Sequence, residues 1–268
     1  MTWRNIMPET KPSAATPLHH RRAAIVVGAS SGIGAALTRK LAAEGYIVAA
    51  VARRADLLEA LCAEINAAHG ETRALPYPHD VTRYDSVPAT LQKIMQELGG
   101  LDLFIYNTGI QQHVKADEFD FEKDRAMLEA NLLGALAWLN PVAAIFHHLR
   151  AGHIVGISSV AGDRGRVGAP AYNASKAALT TYLESLRNRL TRRGVTVTTI
   201  KPGFVETDIL LSAPKKNFFW LIKPNQAAEG IWKAIKSRKQ TAYIPAQWGL
   251  LMLIIRHIPS FIFRRLSF

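Results

Sequence analysis

The amino-acid sequence predicts an α/β fold, a doubly wound and mostly parallel sheet with helices on both faces. Two observations carry that expectation. Short, wholly apolar runs such as Ala23–Val27 and Tyr46–Ala52 alternate with longer stretches of helical periodicity. Strands that are apolar throughout are those buried on both faces of a parallel sheet. The first run also leads at once into a glycine-rich loop, Gly28-Ala29-Ser30-Ser31-Gly32-Ile33-Gly34, that opens a helix. With 268 residues and 49% apolar content, the chain can bury one substantial core. The divisions expected are a tail over residues 1–22, one domain over 23–245 and an apolar, basic segment over 246–268.

The tail carries Pro8, Pro12 and Pro17 and no apolar run, so it reads as disordered rather than as a signal peptide. After the first strand, the glycines permit a tight turn, and backbone N–H groups at the start of the helix Ala35–Glu44 can approach a pyrophosphate. Gly28, Ser30, Ser31, Gly32, Ile33 and Gly34 are therefore candidates for holding a dinucleotide. The second strand, Tyr46–Ala52, ends in Arg53-Arg54 where an acid would bind a ribose 2′-hydroxyl. Cations there fit a 2′-phosphate and point to NADP(H), with Arg53 as the expected clamp beside the Ser30 hydroxyl. They also open a helix, Ala55–Ala68, whose dipole opposes them unless an anion binds. The single cysteine, Cys62, lies in that helix, cannot form an internal disulfide and is expected to be buried. No metal-ligand spacing such as CxxC or HExxH occurs, so no metal site is expected.

Further strands are expected near Arg73–Tyr77, at Leu101–Tyr106 and at Gly152–Ile157, and a β-branched one at Val195–Ile200. A long helix should run from Asp124 to Leu149, bent or shortened at Pro141. Ser158 and Ser159 end the strand that closes at Ile157, and Tyr172 and Lys176 share one face of the helix that follows. A phenol beside an ammonium is a proton donor whose pKa the cation should lower toward the working range.

Ser159, Tyr172 and Lys176, in I-S-S-V-A-G and Y-N-A-S-K, together with the G-x-x-x-G-x-G loop, resemble the short-chain dehydrogenase/reductase family. The resemblance runs from about Ala23 to Pro245 and implies a Rossmann-type sheet of seven strands. It implies that Asp80 and Val81 face the adenine, that Asn107 and Gly109 lie beside the ribose, and that Pro202, Gly203, Val205 and Thr207 cover the nicotinamide. Tyr172 and Lys176 would also touch the cofactor. Val27, Tyr106 and Thr108 depart from the family pattern. The implied reaction is hydride exchange between NADP(H) and a carbonyl or alcohol. Ser159 would bind the carbonyl oxygen, Tyr172 give the proton, Lys176 tune Tyr172 and hold the ribose, and Asn131 hold a water that renews the proton. Epimerases and dehydratases share the scaffold, and a non-catalytic NADP-binding regulator is a further alternative. Family members commonly pair through the two long helices, here 124–149 and 172–193, into homodimers or homotetramers.

The segment Glu206–Pro224 carries Ile209, Leu210, Leu211, Phe218, Phe219 and Trp220, which suit a lid over a hydrophobic substrate. Charge gathers toward the end of the chain. Ten Lys and Arg against the single Glu229 in residues 214–268 give +9 of the net +12. Trp248–Ile255 is apolar but interrupted soon after by Arg256, His257 and Pro259, too short a run to span a bilayer. Residues 248–265 suit peripheral contact with anionic lipid, on the cytoplasmic face of a membrane, better than nucleic acid, which offers no home for apolar side chains. A cap over the substrate pocket or a subunit contact is the competing reading of that segment.

Overall fold

The computed structural model describes residues 22–211 and 218–266. The expected tail, apart from Arg22, and the middle of the 206–224 segment lie outside the described residues. Seven strands, β1 (Arg22–Val27), β2 (Tyr46–Ala52), β3 (Ala74–Pro78), β4 (Leu103–Tyr106), β5 (His153–Ile157), β6 (Thr196–Pro202) and β7 (Thr241–Ile244), make one sheet in the order β3-β2-β1-β4-β5-β6-β7. All of its pairings are parallel. The winding reverses between β1 and β4, which leaves a crevice at the carboxyl ends of those strands.

Helices cover both faces because successive strand residues point to opposite sides. Val26, Val48 and Ala50 pack with Leu37 and Leu41 of α1 (Gly32–Ala43), Leu58 of α2 (Ala55–His69) and Ile231 of α8 (Pro224–Lys236). Ile25, Ile47 and Ala49 face the other way, toward Ile94 of α3 (Val87–Leu98), Trp138 of α5 (Gly134–Leu149) and Leu183 of α6 (Pro170–Leu190). Cys62 is buried in the first of these layers, and burial pushes its thiol up to about 11.

The long helix departs from expectation in two ways. It begins at Phe121 as α4 (Phe121–Leu128), whose N-terminus Asp120 caps by accepting from the N–H groups of Glu122 and Lys123. It then passes through a π-helical turn, Glu129–Leu133, before continuing as α5. Pro141 is buried inside α5 and does not end it, since packing against the sheet outweighs one lost backbone bond. By length and composition Phe121–Leu149 could cross a membrane, but half of its most apolar window is buried, with Trp138, Leu139 and Phe146 fully enclosed in the core. The chain closes with α7 (Asp208–Leu211), α9 (Gln247–His257) and α10 (Ser260–Phe263).

Candidate active site

A cleft of about 1740 Å³ opens at the carboxyl ends of the strands. It collects Gly28, Ser30, Ser31, Gly32, Ile33, Arg53, Arg54, Asp80, Val81, Asn107, Gly109, Ser159, Tyr172, Lys176, Pro202, Gly203, Val205 and Thr207. Gly34 and Asn131, from the same expected set, stand just behind its wall.

The glycine-rich loop is built for close approach. Gly28 has φ +89°, and a Cβ there would come within 2.7 Å of the Thr108 nitrogen. A Cβ on Gly34 would lie 1.9 Å from the Gly28 carbonyl oxygen, so helix α1 can start this near β1 only with glycine at 34. Asn107 donates to that same Gly28 carbonyl at 2.9 Å and ties the loop after β4 to the loop after β1. Unlike α4, α1 has no side-chain cap and no acid in its first turn, so its backbone donors are suited to an anion.

The two arginines after β2 divide differently from expectation. Arg54, not Arg53, is the one held against the serines: its guanidinium donates to Ser30 Oγ at 3.0 Å and to Ser31 Oγ at 2.7 Å. Asp208 of α7 completes the cluster, 3.7 Å from Arg54 and accepting from Ser31 Oγ at 3.0 Å. Arg53 is mostly exposed, lines the same cleft and reaches Asp80 at 3.9 Å. Arg54 is the N-cap of α2, and nothing in the sequence separates it from Arg53 as the one the serines hold.

Ser159 stands two residues past β5 and caps a short turn, Val160–Gly162, accepting from the Ala161 N–H at 3.0 Å. It shares the cleft with Tyr172, which is 9% exposed in the first turn of α6, and its hydroxyl favours the ionised phenol. Lys176, one turn on and 3% exposed, donates from Nζ to the Ile157 carbonyl at 3.0 Å. Its Nζ lies 5.9 Å from the centre of the Tyr172 ring. Gly109 leaves room for that ammonium, because a Cβ there would come within 3.1 Å of Nζ.

The electrostatics correct one expectation. Burial raises the Tyr172 phenol above its ordinary value, while the Ser159 hydroxyl and the Arg166 guanidinium pull against that rise. Lys176 is not among the groups that lower it, and its own pKa is brought down to about 8 by burial. Desolvation sets the direction of both shifts.

Asn131 is fully buried in the π turn. It accepts from the Ile110 N–H at 2.7 Å and donates to the Ile110 carbonyl at 2.9 Å and to Ser175 Oγ at 3.1 Å. Both of its donors are used, and its oxygen keeps one lone pair. Tyr106, a departure from the family pattern, has a structural use: its hydroxyl donates to the Ala130 carbonyl in the π turn at 2.7 Å.

Sequence reasoning missed several parts of the site. Asp163 and Lys201 form a buried ion pair, and the Tyr243 hydroxyl donates to the same carboxylate at 2.7 Å, joining the Ser159 loop to the ends of β6 and β7. Burial and that carboxylate push the Tyr243 phenol up to about 12. Arg164 donates from one Nη to the carbonyls of Ile255, Arg256 and Ile258 at 2.8–3.1 Å and lies over the Phe263 ring, 4.2 Å from its centre. It thereby fastens α9 and α10 over the cleft. Trp248 of α9 stacks with Phe219, meets Phe204 edge-on and crosses Gly203, where a Cβ would come within 1.9 Å of its ring nitrogen. Only local motifs announce themselves in sequence; the Tyr243–Asp163 and Arg164–Ile255 contacts join residues 80 and 91 positions apart. Among the described residues, no group of three or more His, Cys, Asp or Glu is placed to hold a metal.

Comparison with known proteins gives consistent findings. Residues 22–217 match a family model described as short chain dehydrogenase. An uncharacterised oxidoreductase of Myxococcus xanthus is 37% identical over 244 residues, 90% of this chain and 94% of its own. A 3-oxoacyl-[acyl-carrier-protein] reductase of Synechocystis is 31% identical over 84% of this chain and 92% of its own. Among solved structures, a variant of actinorhodin polyketide ketoreductase with NADPH superposes with TM-score 0.76 at 25% identity, covering 85% of this chain and 96% of that one.

Proposed function

The chain belongs to the short-chain dehydrogenase family, and from that premise we propose that it is an NADP(H)-dependent oxidoreductase interconverting a carbonyl and an alcohol on a hydrophobic substrate. One observation carries the reading: Ser159 and Tyr172, with Lys176 one helical turn away, stand in the same cleft as an uncapped glycine-rich helix start and an arginine held by two serines. The glycine cradle and the α1 N-terminus fit a pyrophosphate. Arg54, Ser30 and Ser31 fit a 2′-phosphate, with Asp208 filling an anion's place beside them. Gly109, Asn107, Asp80 and Val81 line the same side, and Pro202, Gly203, Val205 and Thr207 border it. When bound, NADPH supplies the hydride.

The chain's own residues then handle the proton. Ser159 orients the carbonyl oxygen, and Tyr172 donates to it as negative charge develops. A phenol raised above its usual pKa is wholly protonated at neutral pH and still gives its proton downhill to a forming alkoxide, which is far more basic. Lys176 holds the adjoining ribose, and the free lone pair of Asn131 receives a water on the route that renews the proton. Tyr172→Phe removes only the hydroxyl and should lower NADPH-dependent kcat on a hydrophobic ketone by at least about a hundredfold. Undiminished turnover overturns the assignment.

The cleft supports the hydrophobic choice through Phe204, Phe218, Phe219, Trp248 and Met252. The C-terminal helices divide their faces: Trp248 and Met252 are buried as a roof, while Leu250, Leu253, Ile254, Phe261 and Ile262 are exposed beside Arg256, Arg264 and Arg265. We assign that outer face to an anionic lipid surface, since it joins apolar area to positive charge with no acid on either helix. Exposed Phe121, Leu128, Leu133 and Leu149 along α4–α5 support pairing of chains through the long helices, which light scattering would report as a dimer or tetramer.

A further inference from the structure

Arg166 lies on the loop between Ser159 and Tyr172, lines the cleft and takes no part in the chemistry described above. The cleft's other cations are accounted for. Arg54 meets Ser30, Ser31 and Asp208; Arg53 faces Asp80; Lys123 pairs with Glu118; Arg164 holds three carbonyls; Lys176 holds one; Lys115 is exposed to solvent. Arg166 has no carboxylate within reach among the described residues, and its Nε is buried without a hydrogen-bond partner. His79, His113 and Trp248 also line the cleft with one orphaned buried nitrogen each, but Arg166 alone of the four carries a permanent charge.

Arg166 stays partly open to the cleft, but its Nε is withdrawn from water with no partner, which is costly unless a ligand meets it. Burial depresses its pKa, as that cost requires, and it acts on Tyr172 across the cleft. We infer that Arg166 is the receptor for a carboxylate on the substrate. The substrate class is then an apolar oxo acid: a hydrophobic body against Phe204, Phe218, Phe219 and Trp248, a carbonyl at Tyr172, and a carboxylate on Arg166. A single guanidinium matches one negative charge in a bidentate pair. A phosphate dianion would leave part of its charge unmatched among aromatic walls.

The inference rests on the oxidoreductase reading, and the test separates the two. NADPH-dependent reduction of 3-formylbenzoate, 4-formylbenzoate and 4-oxodecanoate is compared with that of their methyl esters. At least one acid should exceed its ester in kcat/KM by about tenfold or more, mainly through KM. Arg166→Gln should abolish that ratio, and Arg166→Lys should restore part of it; a circular-dichroism melt confirms that each variant folds. Esters and acids reduced equally well, or a preference that survives in Arg166→Gln, overturn the inference and leave the oxidoreductase reading standing. If nothing is reduced, that reading fails, and calorimetry with 4-tert-butylbenzoate and its methyl ester on NADP-saturated protein decides about Arg166. Tighter binding of the acid that is lost in Arg166→Gln supports it. Equal binding, or none, overturns it. Should Arg166→Gln not fold, the acid-to-ester ratio of the unmutated protein and of Arg166→Lys still decides.

Discussion

At the scale of single residues, the arrangement turns on where charge is held out of water. Arg54 is positioned by Ser30 and Ser31 while Arg53 reaches Asp80, so the two should separate in experiment. Losing a charge-assisted phosphate contact costs roughly 1.5–3 kcal/mol, about ten- to hundredfold in affinity. Arg54→Ala should weaken NADPH by that factor with little change for NADH, and Arg53→Ala should do much less; nucleotide fluorescence titration measures both, and equal losses would refute the division. Lys176 supplies a second expectation. Its folded pKa of about 8 lies below the unfolded value of 10.5, so between those pH values the unfolded chain holds a proton the folded chain has lost. Stability of the cofactor-free protein should therefore rise with pH through that window, while below it the burial penalty stands in full. Urea unfolding at pH 7.5 and pH 10 should show Lys176→Met lacking a gain of about 2 kcal/mol that the unmutated chain makes. Identical pH responses would show that the ammonium is not desolvated as described.

At the scale of elements, the sequence served best where one element speaks for itself. Strand β2 begins and ends where its apolar run does, at Tyr46 and Ala52, because a strand buried on both faces tolerates no polar residue. β4 starts two residues later than its apolar run, at Leu103, since the Asp102 carboxylate turns to accept from the Ala23 N–H at 2.8 Å. The π turn around Asn131 had no signature: a helical rhythm of 3.6 survives one wider turn, and the bond from Tyr106 to Ala130 is a tertiary fact. Helix α9 was the hardest to read, for an apolar run does not say which of its faces meets protein. Its inner residues Trp248 and Met252 are enclosed, whereas Leu253 and Ile254 are 55% and 59% exposed. Leu253→Glu with Ile254→Glu should abolish sedimentation with anionic vesicles and spare ketone reduction in solution, because neither residue lines the cleft. Sedimentation unchanged by the pair would remove lipid as the partner of that face.

At the scale of the whole molecule, residues grouped in short motifs were legible and the assembly of distant ones was not. The glycine loop, Ser159, Tyr172 and Lys176 sit within local patterns tied to one βα unit each, so their spacing alone brings them to the carboxyl edge of the sheet. Arg166 gave no such signal, since its meaning lies in partners it lacks. The roof was legible only as a competing reading of the last segment, because the residue that fastens it lies 91 to 94 positions from the carbonyls it grips. That grip is on main chain: Arg164 recognises the carbonyls of Ile255, Arg256 and Ile258 and reads none of their side chains. The last turns of α9 can therefore change their side chains over evolutionary time without loosening the fastening. Descendants of one gene could accept new molecules by rewriting a few late codons while the earlier ones, which specify the chemistry, stay fixed.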